Sequence, residues 1–179
     1  MSSPDYCRII NSRNFDRLTG LLSEAKVLLG GTTDAKELYI SPTLIESSFT
    51  APIMQGEIFG PLWPIVEVEN LAQMIELINS RPKPLALYLF TKSKTHEETV
   101  LSRTSSGGVC VNDVVMHLPV PGLPFGGVGG SGMGHYHGEY SFKTFTHAKG
   151  ILHKSTWIDI PVRYAPYTLR NLKILRWMF

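Results

Sequence analysis

Apolar runs alternate with amphipathic stretches through the middle of this chain. Residues 62–68, 85–90 and 109–111 are apolar runs of strand length, each preceded by glycine or proline. Between them, apolar residues recur at helical spacing over 71–78, and a more polar helix is expected before the glycines at 107 and 108. Short joints between these elements predict right-handed crossovers in one parallel sheet. The pattern therefore predicts an α/β fold.

Cap residues mark where the two central helices begin. Asn70 is placed to cap the helix over 71–78, with Gln73 three residues on to reciprocate. Either Ser93 or Thr95 caps the next helix. Both helices are thus predicted to start at defined residues.

The flanking regions predict shorter elements. Before the centre, the pattern predicts one helix and two strands, the second interrupted by Pro42. After it, the pattern predicts a short helix, a strand isolated from the sheet, and a last helix with basic residues beside its apolar stripe. The predicted bounds are 14–22, 26–29, 39–45, 136–145, 147–153 and 168–179.

Composition narrows the functional classes. Hydrophobic residues make up 43% of the 179 residues, which is typical of a globular protein. A formal net charge of +2 gives no electrostatic case for binding nucleic acid. Two cysteines cannot form a disulfide framework, which favours reduced thiols in a cytoplasmic setting. The polar first residues do not resemble a signal peptide, and no apolar run is long enough to span a bilayer.

A glycine- and proline-rich segment over 113–134 predicts a functional loop. Within it, residues 127–132 satisfy the G-x-G-x-x-G pattern of dinucleotide sites. That pattern needs a strand directly before it, whereas residues 119–125 contain three prolines. The glycines are better explained by turns in which backbone segments approach each other closely.

Histidine and cysteine residues give weaker signals. His135 and His137 diverge if their segment is helical, so packed or surface histidines are favoured and no metal site is assigned. Cys110 is interpreted as an apolar strand residue, and Cys7 has a cation beside it but no base nearby in sequence.

Glu57 and Phe59 admit two interpretations. A carboxylate accepts hydrogen bonds from two hydroxyl groups, which suits the diol of a ribose, and Phe59 offers a flat apolar face. A surface glutamate followed by a core phenylalanine explains the same residues. The residues alone leave both possibilities open.

Several motifs in series resemble aldehyde dehydrogenases, most closely the class-three or fatty-aldehyde branch. The resemblance runs from about residue 5 to residue 167. The matching segments are 54–61, 81–88, 104–109, 112–113, 123–134 and 136–138.

The resemblance implies an α/β catalytic domain that uses NAD or NADP to oxidise an aldehyde to a carboxylic acid through a thioester. It implies a partial catalytic domain over 1–146, an oligomerisation strand over 147–155, and a C-terminal extension with a helix over 156–179. The implied site residues are Glu57 and Phe59 for the cofactor, and Val115, Leu118, Pro119, Phe125 and His137 for the substrate pocket.

Two departures from the family pattern concern the site. Gly56 stands where an acidic residue is usual before the cofactor glutamate, and Pro119 stiffens the substrate loop. The family's nucleophilic cysteine, general-base glutamate and Rossmann domain precede the matching region, so no catalytic residue is assigned. We therefore expect the chain alone to be inactive.

The alternative hypothesis is a non-catalytic interaction or assembly module. It would form a homodimer or associate with an aldehyde dehydrogenase subunit, with no nucleic acid partner. The last helix either packs against the domain or makes peripheral membrane contact.

Overall fold

The secondary structure is distributed over the whole described chain. A computed structural model describes residues 3–178. Residues 1 and 2, at the start of the predicted first domain, and residue 179, at the end of the predicted last helix, lie outside the described residues. The helices and strands, in chain order, are α1 Ser12–Ser23, β1 Lys26–Leu29, β2 Thr33–Asp34, β3 Tyr39–Ile40, β4 Thr43–Glu46, β5 Leu62–Ile65, α2 Leu71–Asn79, β6 Ala86–Leu89, α3 Lys94–Arg103, β7 Gly108–Val111, α4 Gly138–Phe145 and α5 Leu169–Met178.

The strands form three small sheets among the described residues. In the first, β4 lies between β1, which is antiparallel to it, and β5, which is parallel. The second is the β2–β3 hairpin, and the third is the parallel pair β6–β7. The α/β class and the parallel β6–β7 pairing are confirmed.

The expectation of one continuous parallel sheet was wrong. β5 pairs with β4, from Thr43 opposite Leu62 to Glu46 opposite Ile65, and it shares no ladder with β6. Pro42 separates β3 from β4, as predicted, because a proline donates no ladder hydrogen bond. An apolar run predicted a strand here, but it did not identify the neighbouring strand, and only Leu62 of β5 is buried.

The main hydrophobic core lies between α1 and the first sheet. Asn11 caps α1 by accepting a hydrogen bond from the backbone N–H of Asn14 at 2.9 Å. Leu18 is fully buried, and a side chain at Gly60 would collide with it. The core residues are Phe15, Leu18, Ile40, Ile45, Ile53 and Leu62.

The structure tests the predicted capping residues of α2 and α3. Asn70 accepts from the N–H of Gln73 at 3.0 Å, which confirms the cap of α2. The reciprocal bond was misplaced by one residue, because the side chain of Gln73 accepts from the N–H of Glu69 instead. Ser93 caps α3, and the alternative, Thr95, lies inside that helix.

Two predicted elements near the C-terminal end need correction. The helix expected from residue 136 begins at Gly138, because Tyr136 forms an antiparallel bridge with Phe125. No strand forms over residues 147–153, which lie in neither a helix nor a strand. A strand needs backbone partners on a neighbouring segment, and the described chain offers none there.

The chain divides into two compact units, Met1–Thr144 and Phe145–Phe179. The division falls two residues before the predicted boundary between 146 and 147. In the second unit, α5 follows a short 3₁₀ turn at Pro161–Arg163, and no described residue is fully buried. Trp157 and Trp177 are almost completely exposed. None of the helices over residues 3–178 combines the length and apolar character needed to cross a bilayer.

Candidate functional site

The segment around Glu57 is held at both ends by arginine side chains. Arg81, just after α2, donates hydrogen bonds to the carbonyl oxygens of Phe49 (2.9 Å) and Met54. Arg17, on α1, donates to the carbonyl oxygen of Ile58 at 2.6 Å. The positions flanking Glu57 are therefore fixed by charge-assisted hydrogen bonds.

Glu57 presents a carboxylate without a protein partner. Its side chain is exposed and makes no hydrogen bond or ion pair within residues 3–178. It lines a cavity of about 550 Å³ with Arg81, Lys83, Gly130 and Ser131. Both carboxylate oxygens are therefore available to hydroxyl groups of a ligand.

Phe59 lies in a strained backbone conformation. Its φ of 49° is in the left-handed region, and 82% of the residue is exposed. It lines a different cavity, of about 590 Å³, together with Tyr6, Cys7 and Arg8. The structure therefore places Glu57 and Phe59 in the linings of two different cavities.

An aromatic cluster surrounds Phe125. Its members are Tyr88, His117, Phe125, Tyr136 and His137. The Phe125 ring centroid lies 6.0 Å from that of His117 and 6.2 Å from that of His137, with the latter pair stacked. Tyr136 meets Phe125 edge-on at 5.4 Å. The structure thus brings Phe125 and His137, two of the predicted pocket residues, into direct contact.

The other three predicted pocket residues lie on the loop after β7. Val115 is exposed with a φ of 65°, and its carbonyl accepts from the N–H of Leu118 at 2.8 Å. Leu118 is half-buried and Pro119 is exposed. His117, which lies between Val115 and Leu118 in sequence, packs against Phe125. Phe125 is not among the residues that line the cavity of Glu57.

The glycine-rich segment is a set of close backbone contacts, as predicted. A Cβ at Gly107 would lie 2.2 Å from the carbonyl oxygen of Gly126, and one at Gly127 would lie 2.1 Å from that of Ser131. Residues 129–131 form a 3₁₀ turn, and no strand precedes them. The segment is therefore not a strand–turn–helix dinucleotide fingerprint.

Other titratable groups do not assemble into a second site in the described part of the chain. No group of three or more metal-binding side chains occurs over residues 3–178. His135 and His137 are not helical, contrary to expectation, and their rings contact different partners, Tyr140 and Phe125. Hydrogen bonding and attraction from Lys143 lower the pKa of Glu139 at the surface. Cys7 is exposed, and Cys110 is half-buried in β7.

The sequence did not predict a role for two residues of the site, Arg81 and His117. Arg81 precedes a Pro-Lys-Pro joint, where a cation is ordinarily interpreted as solvent-exposed. His117 stands among apolar residues, and a lone polar residue in such a run is the signal that would have indicated burial. Its ring nitrogens have no hydrogen-bond partner among the described residues.

Comparison with known proteins places these features in one family. The model described as "Aldehyde dehydrogenase family" matches residues 4–151. "Aldehyde dehydrogenase family 3 member B1" of Bos taurus is 51% identical over 97% of this chain, which covers 38% of that relative. "4,4'-diaponeurosporen-aldehyde dehydrogenase" of Staphylococcus aureus is 49% identical over 92% of the chain, which covers 37% of it.

A solved structure agrees with this placement. The structure titled "Substrate bound state of Staphylococcus Aureus AldH" superposes with a TM-score of 0.89 at 46% identity, over 99% of this chain and 40% of that one. The chain thus spans well under half of the length of the curated relatives that it matches, 38% in the first case.

Proposed function

Because this chain belongs to the aldehyde dehydrogenase family, we propose that it forms the cofactor-ribose clamp and one wall of the aldehyde pocket of such an enzyme. The enzyme oxidises a medium or long aliphatic, or an aromatic, aldehyde to a carboxylic acid through a thioester, with NAD or NADP. The observation that carries this proposal is the unpartnered, exposed carboxylate of Glu57 on an anchored segment beside the glycine-rich turn.

The cofactor proposal rests on how Glu57 and Phe59 present their side chains. Glu57 accepts hydrogen bonds from the ribose hydroxyls, and the exposed ring of Phe59 packs on an apolar face of the cofactor. When bound, NAD or NADP supplies the hydride acceptor. The strain at Phe59 supports a binding role, because unfavourable backbone conformations cluster at functional sites.

The pocket proposal rests on the apolar character of the loop and the aromatic cluster. Phe125 and His137 form a stacked surface, and Val115, Leu118 and Pro119 line the loop beside it. These side chains suit the hydrocarbon part of an aldehyde, since apolar pockets hold apolar ligands with few polar contacts. Pro119 limits the motion of the loop and so bears on which aldehyde fits.

We further propose that the chain by itself does not turn over aldehyde. Thioester chemistry needs a thiolate, an oxyanion donor and a base for the hydrolytic water. The cavity that Cys7 lines contains no aspartate, glutamate or histidine, and Cys110 lies within a strand. The nucleophile and the base are therefore expected from polypeptide outside this chain.

The test separates cofactor binding from turnover. NAD and NADP are titrated calorimetrically into the parent chain, Glu57→Gln, and Glu37→Gln as an exposed control. We expect Glu57→Gln to weaken binding about tenfold, by loss of a charged acceptor, and Glu37→Gln to match the parent. Equal affinity in all three would contradict the clamp. NADH production from hexanal by the pure chain, abolished by Glu57→Gln, would contradict the proposed inactivity.

A second candidate function, assembly, is favoured by the exposed apolar residues of the second unit. Ile151, Leu152 and Trp157 are exposed in and beside the region predicted as an oligomerisation strand. We propose that residues 147–155 form a strand against a second aldehyde dehydrogenase subunit. Size-exclusion chromatography with a full-length relative checks this proposal. Separate elution at micromolar concentration would exclude a stable complex.

The charge of α5 favours peripheral contact with an anionic membrane. Arg170, Lys173 and Arg176 lie beside the stripe that includes Leu169 and Leu172, and the helix contains no acidic residue. Such helices bind anionic lipid through apolar burial and charge. Flotation with phosphatidylserine vesicles is expected to recover the parent but not a chain ending at residue 167. Equal recovery would rule out a membrane role for α5.

A further inference from the structure

The loop over residues 112–123 buries one side chain, and it is a histidine. His117 is 8% exposed, whereas Val114, Val115, Met116 and Val120 are all exposed. This reverses the usual preference, in which the valines go inside and the polar residue outside. His117 is therefore the side chain through which this loop is buried in the first unit.

The imidazole occupies a notch on the β6–β7 sheet. Its ring centroid lies 5.9 Å from that of Tyr88 on β6. Because Ala86 is opposite Gly108 and Tyr88 is opposite Cys110, Tyr88 and Gly108 lie on the same face. A Cβ at Gly108 would lie 2.9 Å from His117 Cδ2. The missing side chain at Gly108 is thus the space that the imidazole fills.

The ring is held by shape and not by hydrogen bonds within the described chain. Both ring nitrogens are buried without a hydrogen-bond partner among residues 3–178. The imidazole also contacts Phe125, the ring at the centre of the aromatic cluster, with 6.0 Å between the ring centroids. The side chain of His117 therefore connects its own loop to the β6–β7 sheet and to Phe125 of the predicted pocket wall.

We propose that His117 is a positioning residue, which fixes the loop bearing Val115, Leu118 and Pro119 relative to Phe125. It sets the width of the pocket without touching the reacting atoms. The importance of that width rests on the proposed function. The attachment of the loop does not, because it needs neither aldehyde nor cofactor.

Hydrogen exchange on the full chain tests the attachment. In His117→Ala, we expect amide exchange over residues 114–120 to rise about tenfold, because the loop loses the one side chain that is buried among its described residues. The amide of Gly108 donates to the carbonyl of Leu85, just before β6, and the amide of Asn112 donates to that of Leu89 on β6. Exchange at both amides should change by less than about twofold. The NMR signals of the Phe125 ring should shift, while those of the core residue Phe15 should not.

Glycine variants test the attachment of the loop independently, because they leave His117 in place. Gly108→Ala should expel the imidazole and raise exchange over 114–120 to the same extent. Gly122→Ala, with no atom within 4 Å of the added methyl group, is the matched control and should leave exchange unchanged. In the His117→Ala background, Gly108→Ala should add less than about twofold, since the notch is then empty.

Two results would overturn the positioning role. Unchanged exchange over 114–120 in both His117→Ala and Gly108→Ala would show that another contact holds the loop. An equal rise at Gly108, Asn112 and the loop would show that His117 supports the whole sheet. Neither result bears on cofactor binding by Glu57, so a failure here is distinguishable from a failure of the proposed function.

Discussion

Two sides of the first unit are built differently. The core side, made of α1, β1, β4 and β5, encloses a cluster of six buried hydrophobic residues. The pocket side, made of β6, β7 and residues 112–140, has no fully buried residue in either strand. The buried hydrophobic residues nearest to it in sequence, Ile75 and Val100, belong to α2 and α3. The core side therefore has a hydrophobic core of its own, to which the strands of the pocket side contribute no buried residue.

The difference locates the candidate site. Every predicted pocket residue lies on the pocket side, where side chains other than that of His117 are half-buried or exposed and backbone segments approach each other closely. Glu57 and Phe59 lie on the segment leading into β5, and they too face outward. A surface of this kind is available to a ligand or to further polypeptide, because its groups are not consumed by internal packing.

The largest test compares one leucine from each side. Leu18→Ala should cost about 2–5 kcal/mol in the free energy of unfolding, because it opens a cavity in the core side. Leu123→Ala, on the exposed pocket side, should cost about 0.5 kcal/mol or less. Urea melts followed by circular dichroism measure both changes. Equal costs would refute the contrast between the sides.

A glycine substitution tests whether backbone contacts hold the pocket side together. Gly107→Ala places a methyl group 2.2 Å from the carbonyl of Gly126 and should cost about 1–3 kcal/mol of unfolding free energy. Gly56→Ala, with no atom within 4 Å, serves as the control. The same urea melts apply. If both variants match the parent, close backbone approach does not stabilise this side.

Arg81 links the end of α2 to the segment before Glu57 through its paired hydrogen bonds. Arg81→Lys replaces the two guanidinium nitrogens that reach Phe49 and Met54 separately by a single ammonium nitrogen, and should cost about 1–2 kcal/mol of unfolding free energy. Arg13→Lys, on α1, should be neutral. Thermal melts of the two variants measure the difference. A neutral Arg81→Lys would mean that these bonds do not couple the segment around Glu57 to α2.

The smallest effect concerns Tyr6, at the rim of the core side. Burial raises the pKa of its hydroxyl, which donates to the carbonyl of Ile40 at 2.8 Å. Its contribution to stability is therefore complete below about pH 10, the unfolded pKa, and is lost as pH rises through the folded pKa. Tyr6→Phe should reduce the alkaline loss of stability, and Tyr167→Phe, which is exposed, should not. Identical alkaline profiles for the two variants would contradict this assignment.

Local signals in the sequence predicted local structure well. The caps at Asn70 and Ser93, the break at Pro42 and the parallel pairing of β6 with β7 all follow from residues near one another in the chain. The α/β class follows from the same alternation of elements. The family itself was identified from motifs in series.

The features that were missed depend on distant residues. The partner of β5 is β4, which an apolar run does not specify. The apolar residues around His117 could have indicated its burial, but the notch at Gly108 that it fills is formed by a residue outside the loop, which those neighbours do not identify. The separation of Glu57 from Phe59 arises from the backbone turn at Phe59, which side-chain type does not predict.

All three tryptophans of the chain are exposed, so their intrinsic fluorescence can detect binding of a partner. Trp63 lies on β5, whereas Trp157 and Trp177 belong to the second unit. Emission from the free chain should resemble that of indole in water, and any partner that covers one of these rings will shift it toward the blue. Single tryptophan-to-phenylalanine variants then reveal which unit was covered, without an added label.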